Sequence, residues 1–234
     1  MRVLITRPVV EAQALARLLK ACAHDVAIEP LLTIESLPAS LVLDGVQAIA
    51  MTSAHAAPAL GAAKHLPVFT VGEASAAAAR AAGCLRVESA EGDAASLARL
   101  IVASCRPDGG VILHLSGTEV RPGLAEALGE AGFRVLRQAV YRATPAKALS
   151  AQTCAALRVG MDAVLLFSPR TALIFCELAL RQGLERCLAA TDAYCLSAAV
   201  AESCRALAWR RVRIAARPDQ GALVDLLEAA DRRC

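Results

Sequence analysis

Val46-Gln-Ala-Ile-Ala-Met-Thr-Ser53 and Met161-Asp-Ala-Val-Leu-Leu-Phe-Ser168 are two versions of one phrase, an apolar run ending in the Ser that opens an Ala-rich stretch. Val68-Phe-Thr-Val-Gly72 with Glu73-Ala-Ser-Ala-Ala-Ala-Ala-Arg80 is answered by Ala193-Tyr-Cys-Leu-Ser197 with Ala198-Ala-Val-Ala-Glu-Ser-Cys-Arg205. Gly92-Asp-Ala-Ala-Ser-Leu97 is answered by Pro218-Asp-Gln-Gly-Ala-Leu223. Three blocks in one order at nearly constant offset indicate two copies of one α/β unit. A fainter echo joins Val3-Leu-Ile-Thr-Arg7 to Ile112-Leu-His-Leu-Ser116, so the chain runs short unit, long unit, short unit, long unit.

Strand patterns of a few apolar, often β-branched residues alternate with helical patterns of 10–15 residues, which means βαβ crossovers and parallel sheets. The strand candidates are Arg2–Thr6, Asp25–Glu29, Ala48–Met51, Val68–Val71, Leu85–Glu88, Val111–Leu115, Phe133–Leu136, Ala163–Phe167, Ala193–Leu196 and Val212–Ala215. Pro30–Pro38 and Arg137–Pro145 break the alternation, are extended in pattern and end in proline. The expected fold is α/β: two parallel-sheet lobes of about five strands each, joined by a two-stranded antiparallel linker. Residues 1–30 with 146–234 would form a discontinuous domain, 38–137 an inserted one, and 31–37 and 138–145 the linker strands, a joint that should hinge.

The 234 residues suffice for two cores, and 25 basic against 22 acidic side chains are too balanced for a dedicated nucleic-acid binder. Only 3% of residues are aromatic, which argues against a stacking platform for bases or sugars. Arg7, Pro8 and Glu11 interrupt the first apolar stretch too early for a signal peptide, and no stretch approaches a membrane span. The nine cysteines (Cys22, Cys84, Cys105, Cys154, Cys176, Cys187, Cys195, Cys204 and Cys234) show no ligand spacing and read as reduced core thiols of a cytoplasmic protein.

The chemistry suggested by the residues lies where strands end. Thr6-Arg7, Thr52-Ser53, Val71-Gly72, Ser116-Gly117, Ser168-Pro169 and Leu196-Ser197 each place a small or hydroxyl residue just before a helical pattern. Strand carboxyl ends line the crevice of open α/β sheets, and the helix termini beyond them favour anions. Each such Ser or Thr is equally an ordinary N-cap. GxGxxG, P-loop and Gly-x-Ser-x-Gly patterns are absent. His114 lies inside a strand and reads as packed, while His55 follows a strand end, where it would either reach the crevice or sit on a solvated turn. Tyr141 stands in the second crossing segment, either facing the cleft or packing beneath it.

Taken together, Thr6-Arg7-Pro8, Pro30-Leu31, Thr52-Ser53, Val71-Gly72-Glu-Ala-Ser75, Gly92-Asp93 with Leu97, Ser116-Gly117 with Arg121, Val140-Tyr141 and Phe167-Ser168-Pro169 resemble the uroporphyrinogen-III synthase family over essentially the whole chain. The resemblance implies a lyase that closes hydroxymethylbilane with inversion of ring D to give uroporphyrinogen III and water in tetrapyrrole (haem) biosynthesis. It implies no cofactor and no metal, and it puts the family's functionally sensitive tyrosine on Tyr141. Substrate contacts are expected at Arg7, Thr52, Ser53, Gly72, Ser75, Ser116, Gly117, Arg121, Ser168, Ser197 and Ala198. The family's Gly-x-Thr after the last repeat strand is replaced by Leu196-Ser-Ala-Ala-Val200, so hydroxyl contacts at Ala199 and Val200 are lost while backbone N–H donors remain. Expected partners are hydroxymethylbilane and the hydroxymethylbilane synthase that precedes it, with a monomeric state, no nucleic acid and no membrane. Two other classes share the layout: a non-catalytic hinged binder of anions or tetrapyrroles, and a two-lobed sugar or nucleotide transferase.

Overall fold

Val3, Leu4 and Ile5 are all fully buried, which a strand achieves only when both of its faces are covered. The same continuous burial recurs at Ala48–Met51, Ala163–Leu166 and Ala193–Cys195, and it is the local cause of sheets with helices on both sides. The computed structural model describes residues 1–90, 92–120 and 122–231.

In chain order, β1 (Arg2–Ile5), α1 (Val9–Ala21), β2 (Asp25–Ile28) and β3 (Leu32–Ser36) come first. β4 (Val46–Met51) leads into a 3-10 stretch at Ala54–His65, and β5 (Val68–Thr70) into α2 (Glu73–Ala81). Next come β6 (Val87–Ser89), α3 (Ala94–Ser104), β7 (Val111–Gly117), α4 (Leu124–Glu130) and β8 (Arg134–Pro145). The chain closes with α5 (Ala151–Val159), β9 (Ala163–Leu166), α6 (Pro169–Arg181), α7 (Glu185–Leu188), β10 (Asp192–Cys195), α8 (Ala198–Ser203), β11 (Arg211–Ile214) and α9 (Gln220–Asp231).

These elements fall into two units, Met1–Thr33 with Thr144–Cys234 (unit 1) and Ile34–Ala143 (unit 2). Unit 1 is built on a five-stranded sheet ordered β11-β10-β9-β1-β2, with each neighbouring pair parallel. The pleat sends Leu4, Val164 and Leu166 into a core with Phe175, and Val3, Ile5 and Leu165 into the opposite core with Leu15, Leu19 and Leu223. Unit 2 is built on a six-stranded sheet ordered β3-β8-β7-β4-β5-β6. Its Ile49, Met51, Leu113 and Leu115 pack under the 3-10 stretch, while Ala48, Ala50, Phe69 and Ile112 pack under α3 and α4. β3 runs antiparallel to β8: Leu37 N–H donates to Val140 O at 2.9 Å, and Ala146 N–H to Leu31 O at 3.0 Å.

The α/β class with two largely parallel sheets agrees with the sequence reading, and several details differ. Phe133–Leu136 and the second crossing segment are one strand, β8, because no turn residue interrupts the chain between Arg134 and Tyr141. The stretch after β4 is a kinked 3-10 helix because Pro58 lies within it and Gly61 adopts φ 30°. Leu85, expected to open β6, is 93% exposed and lies before the strand. Ser116-Gly117 does not open a helix directly. β7 runs through Gly117, and α4 starts only at Leu124, after Pro122 and a Gly123 cap at φ 124°.

Candidate active site

Unit 2 carries a cavity of about 400 Å³ at the carboxyl ends of β4, β5 and β7, lined by Thr52, Val71, Asp93, Ala94, His114, Gly117, Glu119, Val120, Leu124 and Tyr141. The seat of Tyr141 has a local cause. Ser116 pairs with Ala139 but Gly117 pairs with Tyr141, so β8 carries one extra residue at this point. Such a bulge re-aims the side chain that follows it. The Tyr141 ring then lies against Gly117, where an added Cβ would meet the ring carbons at 2.9 Å and Oη at 3.2 Å. His55 meets the same ring edge-on, with centroids 5.6 Å apart and planes at 65°.

His114 sits one pleat lower, paired in register with Ala50 on β4 and Arg137 on β8. It is 2% exposed, and its Nε2 lies 3.4 Å from Thr52 Oγ1. Burial, with help from the Arg137 guanidinium, lowers its pKa to about 4, so the ring is neutral at working pH. Arg137 is held by Ser116 Oγ (3.1 Å), Gly117 O (2.9 Å) and Thr118 O (2.6 Å). Asp93 caps α3 by accepting from Ser96 N–H at 2.9 Å, and that bond above all holds its carboxyl below the usual range. A second cavity of about 230 Å³ adjoins His114 and is lined also by Val120, Pro122, Leu124, Ala125, Glu126 and Arg137.

The remaining expected residues of unit 2 are placed as follows. Ser53 caps the 3-10 stretch, its hydroxyl accepting from His55 N–H at 3.3 Å. Gly72 caps α2 in extended backbone, and Ser75 is buried in that helix's first turn. The Ser116 hydroxyl is buried and engaged, donating to Gly117 O while accepting from Arg137. Arg121 lies outside the described residues, as does Cys234.

In unit 1, Thr6 is fully buried and donates to Leu165 O at 2.7 Å, so its hydroxyl serves the sheet. Arg7 instead reaches Gln220 Oε1 at 2.7 Å and lies over the Phe167 ring at 4.7 Å. Its burial lowers the guanidinium pKa, partly opposed by Glu11. Ser168 caps α6 by accepting from Thr171 N–H at 3.1 Å, with Pro169 in the first turn. Ser197 precedes α8 and makes no side-chain cap bond, leaving the exposed Ala198 at the first helical position. Val200, where the family pattern has Thr, is 1% exposed and packs in the core with Phe175.

Thr52, Gly117 and Tyr141 are therefore brought to one cavity, and Ser53 lies beside it in sequence. His114, which the strand pattern assigned to packing, is both packed and part of the lining. Glu119 and Arg137 were not singled out from sequence. Among the described residues no cluster of His, Cys, Asp or Glu could hold a metal, and no helix is long and apolar enough to cross a membrane.

The family model described as "Uroporphyrinogen-III synthase HemD" matches residues 13–225. The fold is similar to that of uroporphyrinogen-III synthetase from Helicobacter pylori, with a TM-score of 0.68, 14% identity, and 98% of this chain and 100% of the other covered. It is also similar to a mutant uroporphyrinogen III synthase from Thermus thermophilus, with a TM-score of 0.59, 19% identity, and 99% and 98% covered. No curated protein sequence matches the chain significantly.

Proposed function

The chain belongs to the uroporphyrinogen-III synthase family, cyclising lyases of tetrapyrrole synthesis, and from that premise we propose that the unit 2 cavity holding Tyr141 is where its reaction occurs. The family's substrate is hydroxymethylbilane. Loss of hydroxide from its hydroxymethyl group gives an azafulvene cation. Attack through the substituted carbon of ring D, then fragmentation and reclosure, gives uroporphyrinogen III. Hydroxide is a poor leaving group, and Tyr141 Oη is the proton or hydrogen-bond donor that assists it. Asp93 remains ionised at the same cavity and favours the positive charge that develops as hydroxide departs.

The remaining contribution is orientation, holding a flexible bilane so that the inverted closure outruns the direct one. In unit 2 we assign contacts to Thr52, Ser53, Gly72, Ser75, Ser116 and Gly117, the last two through the backbone, together with Arg121. In unit 1 we assign them to Arg7, Ser168, Ser197 and Ala198. Backbone N–H donors at helix starts suit acetate and propionate carboxylates, and they survive the loss of Thr at 199 and 200. The same reading takes 38–137 as an inserted domain, and takes the protein as a cytoplasmic monomer supplied by hydroxymethylbilane synthase.

The observation that carries the proposal is the bulge that lays the Tyr141 phenol, part of the cavity lining, against Gly117, beside Thr52 and His114. Supplying hydroxymethylbilane and identifying the porphyrinogen isomer tests it: type III is expected, and type I at the spontaneous rate would refute it. A binding protein without catalysis or a phosphate-dependent transferase, the two other readings of the sequence, would give that second result.

A further inference from the structure

We infer that His114 and Arg137 form a subsite for one carboxylate arm of the tetrapyrrole, with the imidazole donating through Nδ1–H and the guanidinium through Nη1. This deepens the proposed function and rests on it.

Ala48, Ala50, Phe69 and Ile112 fill much of the face of the unit 2 sheet under α3 and α4. A buried imidazole among them is costly unless its nitrogens are used. Nε2 has Thr52 Oγ1 at 3.4 Å, while Nδ1 has no partner among the described residues. The Thr52 hydroxyl has no other partner there either. If that hydroxyl donates to Nε2, the ring proton sits on Nδ1, and the imidazole presents one N–H donor.

Arg137 supplies the second donor. Its Nε and Nη2 are fixed by Ser116, Gly117 and Thr118, whereas Nη1 has no partner among the described residues. Both groups line the smaller cavity of about 230 Å³. The carboxylate in that cavity, Glu126, is occupied in capping α4, accepting from Gly123 N–H at 2.6 Å. Two donors with one positive charge complement an acceptor-only anion, which a carboxylate is. The cavity is smaller than the roughly 300–1,000 Å³ typical for a whole small ligand, and suits a side arm of a pyrrole seated in the larger cavity next to it. Because the imidazole is neutral, it stands beside Arg137 without like-charge repulsion.

The test combines kinetics on His114→Ala and His114→Gln with ¹⁵N spectra of the wild-type histidine rings during titration with uroporphyrinogen III. His114→Ala should raise KM for hydroxymethylbilane by about ten- to a hundredfold, the range of one hydrogen bond to a charged group, with kcat within about threefold. His114→Gln keeps an N–H donor and should recover most of the loss. The His114 Nδ1 resonance should move on saturation. If His114→Ala does not fold, the His114→Gln kinetics and the spectra decide. Unchanged KM in a folded variant, a loss confined to kcat, or an unmoved Nδ1 resonance overturns the subsite. Failure of the wild type to make the type III isomer would instead refute the reading on which it rests.

Discussion

Tyr141 lies against Gly117 so closely that a methyl group at Gly117 would come within 2.9 Å of the phenol ring. Gly117 does not have a positive φ, so backbone freedom does not demand glycine at this position. The demand comes from the ring, and the ring is there because β8 carries an extra residue opposite Gly117.

Gly117→Ala should therefore displace the ring, lowering turnover at least tenfold and costing about 1–3 kcal/mol of stability, as overpacking does. Gly129→Ala is the control, since its added Cβ meets nothing within 4 Å. Equal activity in the two variants, measured with hydroxymethylbilane, would show that the Tyr141 seat is unimportant.

Glu29 is the main polar tie between β2 and α5. Its buried carboxylate accepts from Ser150 N–H at 3.1 Å, from Ser150 Oγ at 2.5 Å and from Thr153 Oγ1. Glu29→Ala strands these donors and should cost roughly 2–4 kcal/mol, lowering Tm by several degrees. A melting curve matching the wild type would mean that water or backbone movement satisfies them.

His114 makes stability depend on pH. Its folded pKa, about 4, lies below the unfolded value of 6.5, so the unfolded chain takes up the proton first. Stability is complete above pH 6.5 and falls as pH drops towards 4, by on the order of 3 kcal/mol in all. Arg137 and Glu126 are the charged groups facing the ring's smaller cavity, and capping hydrogen bonds hold the Glu126 carboxyl below its usual range. Denaturant titrations of wild type and His114→Gln should thus diverge in slope against pH over that window; parallel curves would mean that the imidazole is not held neutral.

If carboxylates are met by helix starts and arginines, affinity for uroporphyrinogen III should weaken severalfold as ionic strength rises from about 0.05 M to 0.5 M. Calorimetric titration across that range measures it. Affinity indifferent to salt would leave shape and apolar contact as the source of binding.

The strands were legible because burial on both faces forces runs such as Val3-Leu4-Ile5 and Val164-Leu165-Leu166, and because those runs recur in order. Tyr141 could be singled out by its place in an extended segment that broke the alternation. The contact between His114 and Thr52 could not, since it joins strands 62 residues apart and depends on their register. The bulge at Gly117 is likewise a property of two paired strands. Ser116 shows the opposite failure: its hydroxyl matched the pattern of a helix start, yet the strand continues and Arg137 claims the side chain.

The central claim is that the Tyr141 hydroxyl assists departure of hydroxide in the unit 2 cavity. Tyr141→Phe removes only that hydroxyl and keeps the ring against Gly117 and His55. Single-turnover conversion of hydroxymethylbilane, with the isomers separated, is the direct measurement. Turnover should fall by about one to three orders of magnitude, the span that general acid assistance supplies, with type III still the main product because orientation is intact. Wild-type turnover from a folded Tyr141→Phe protein would contradict the account.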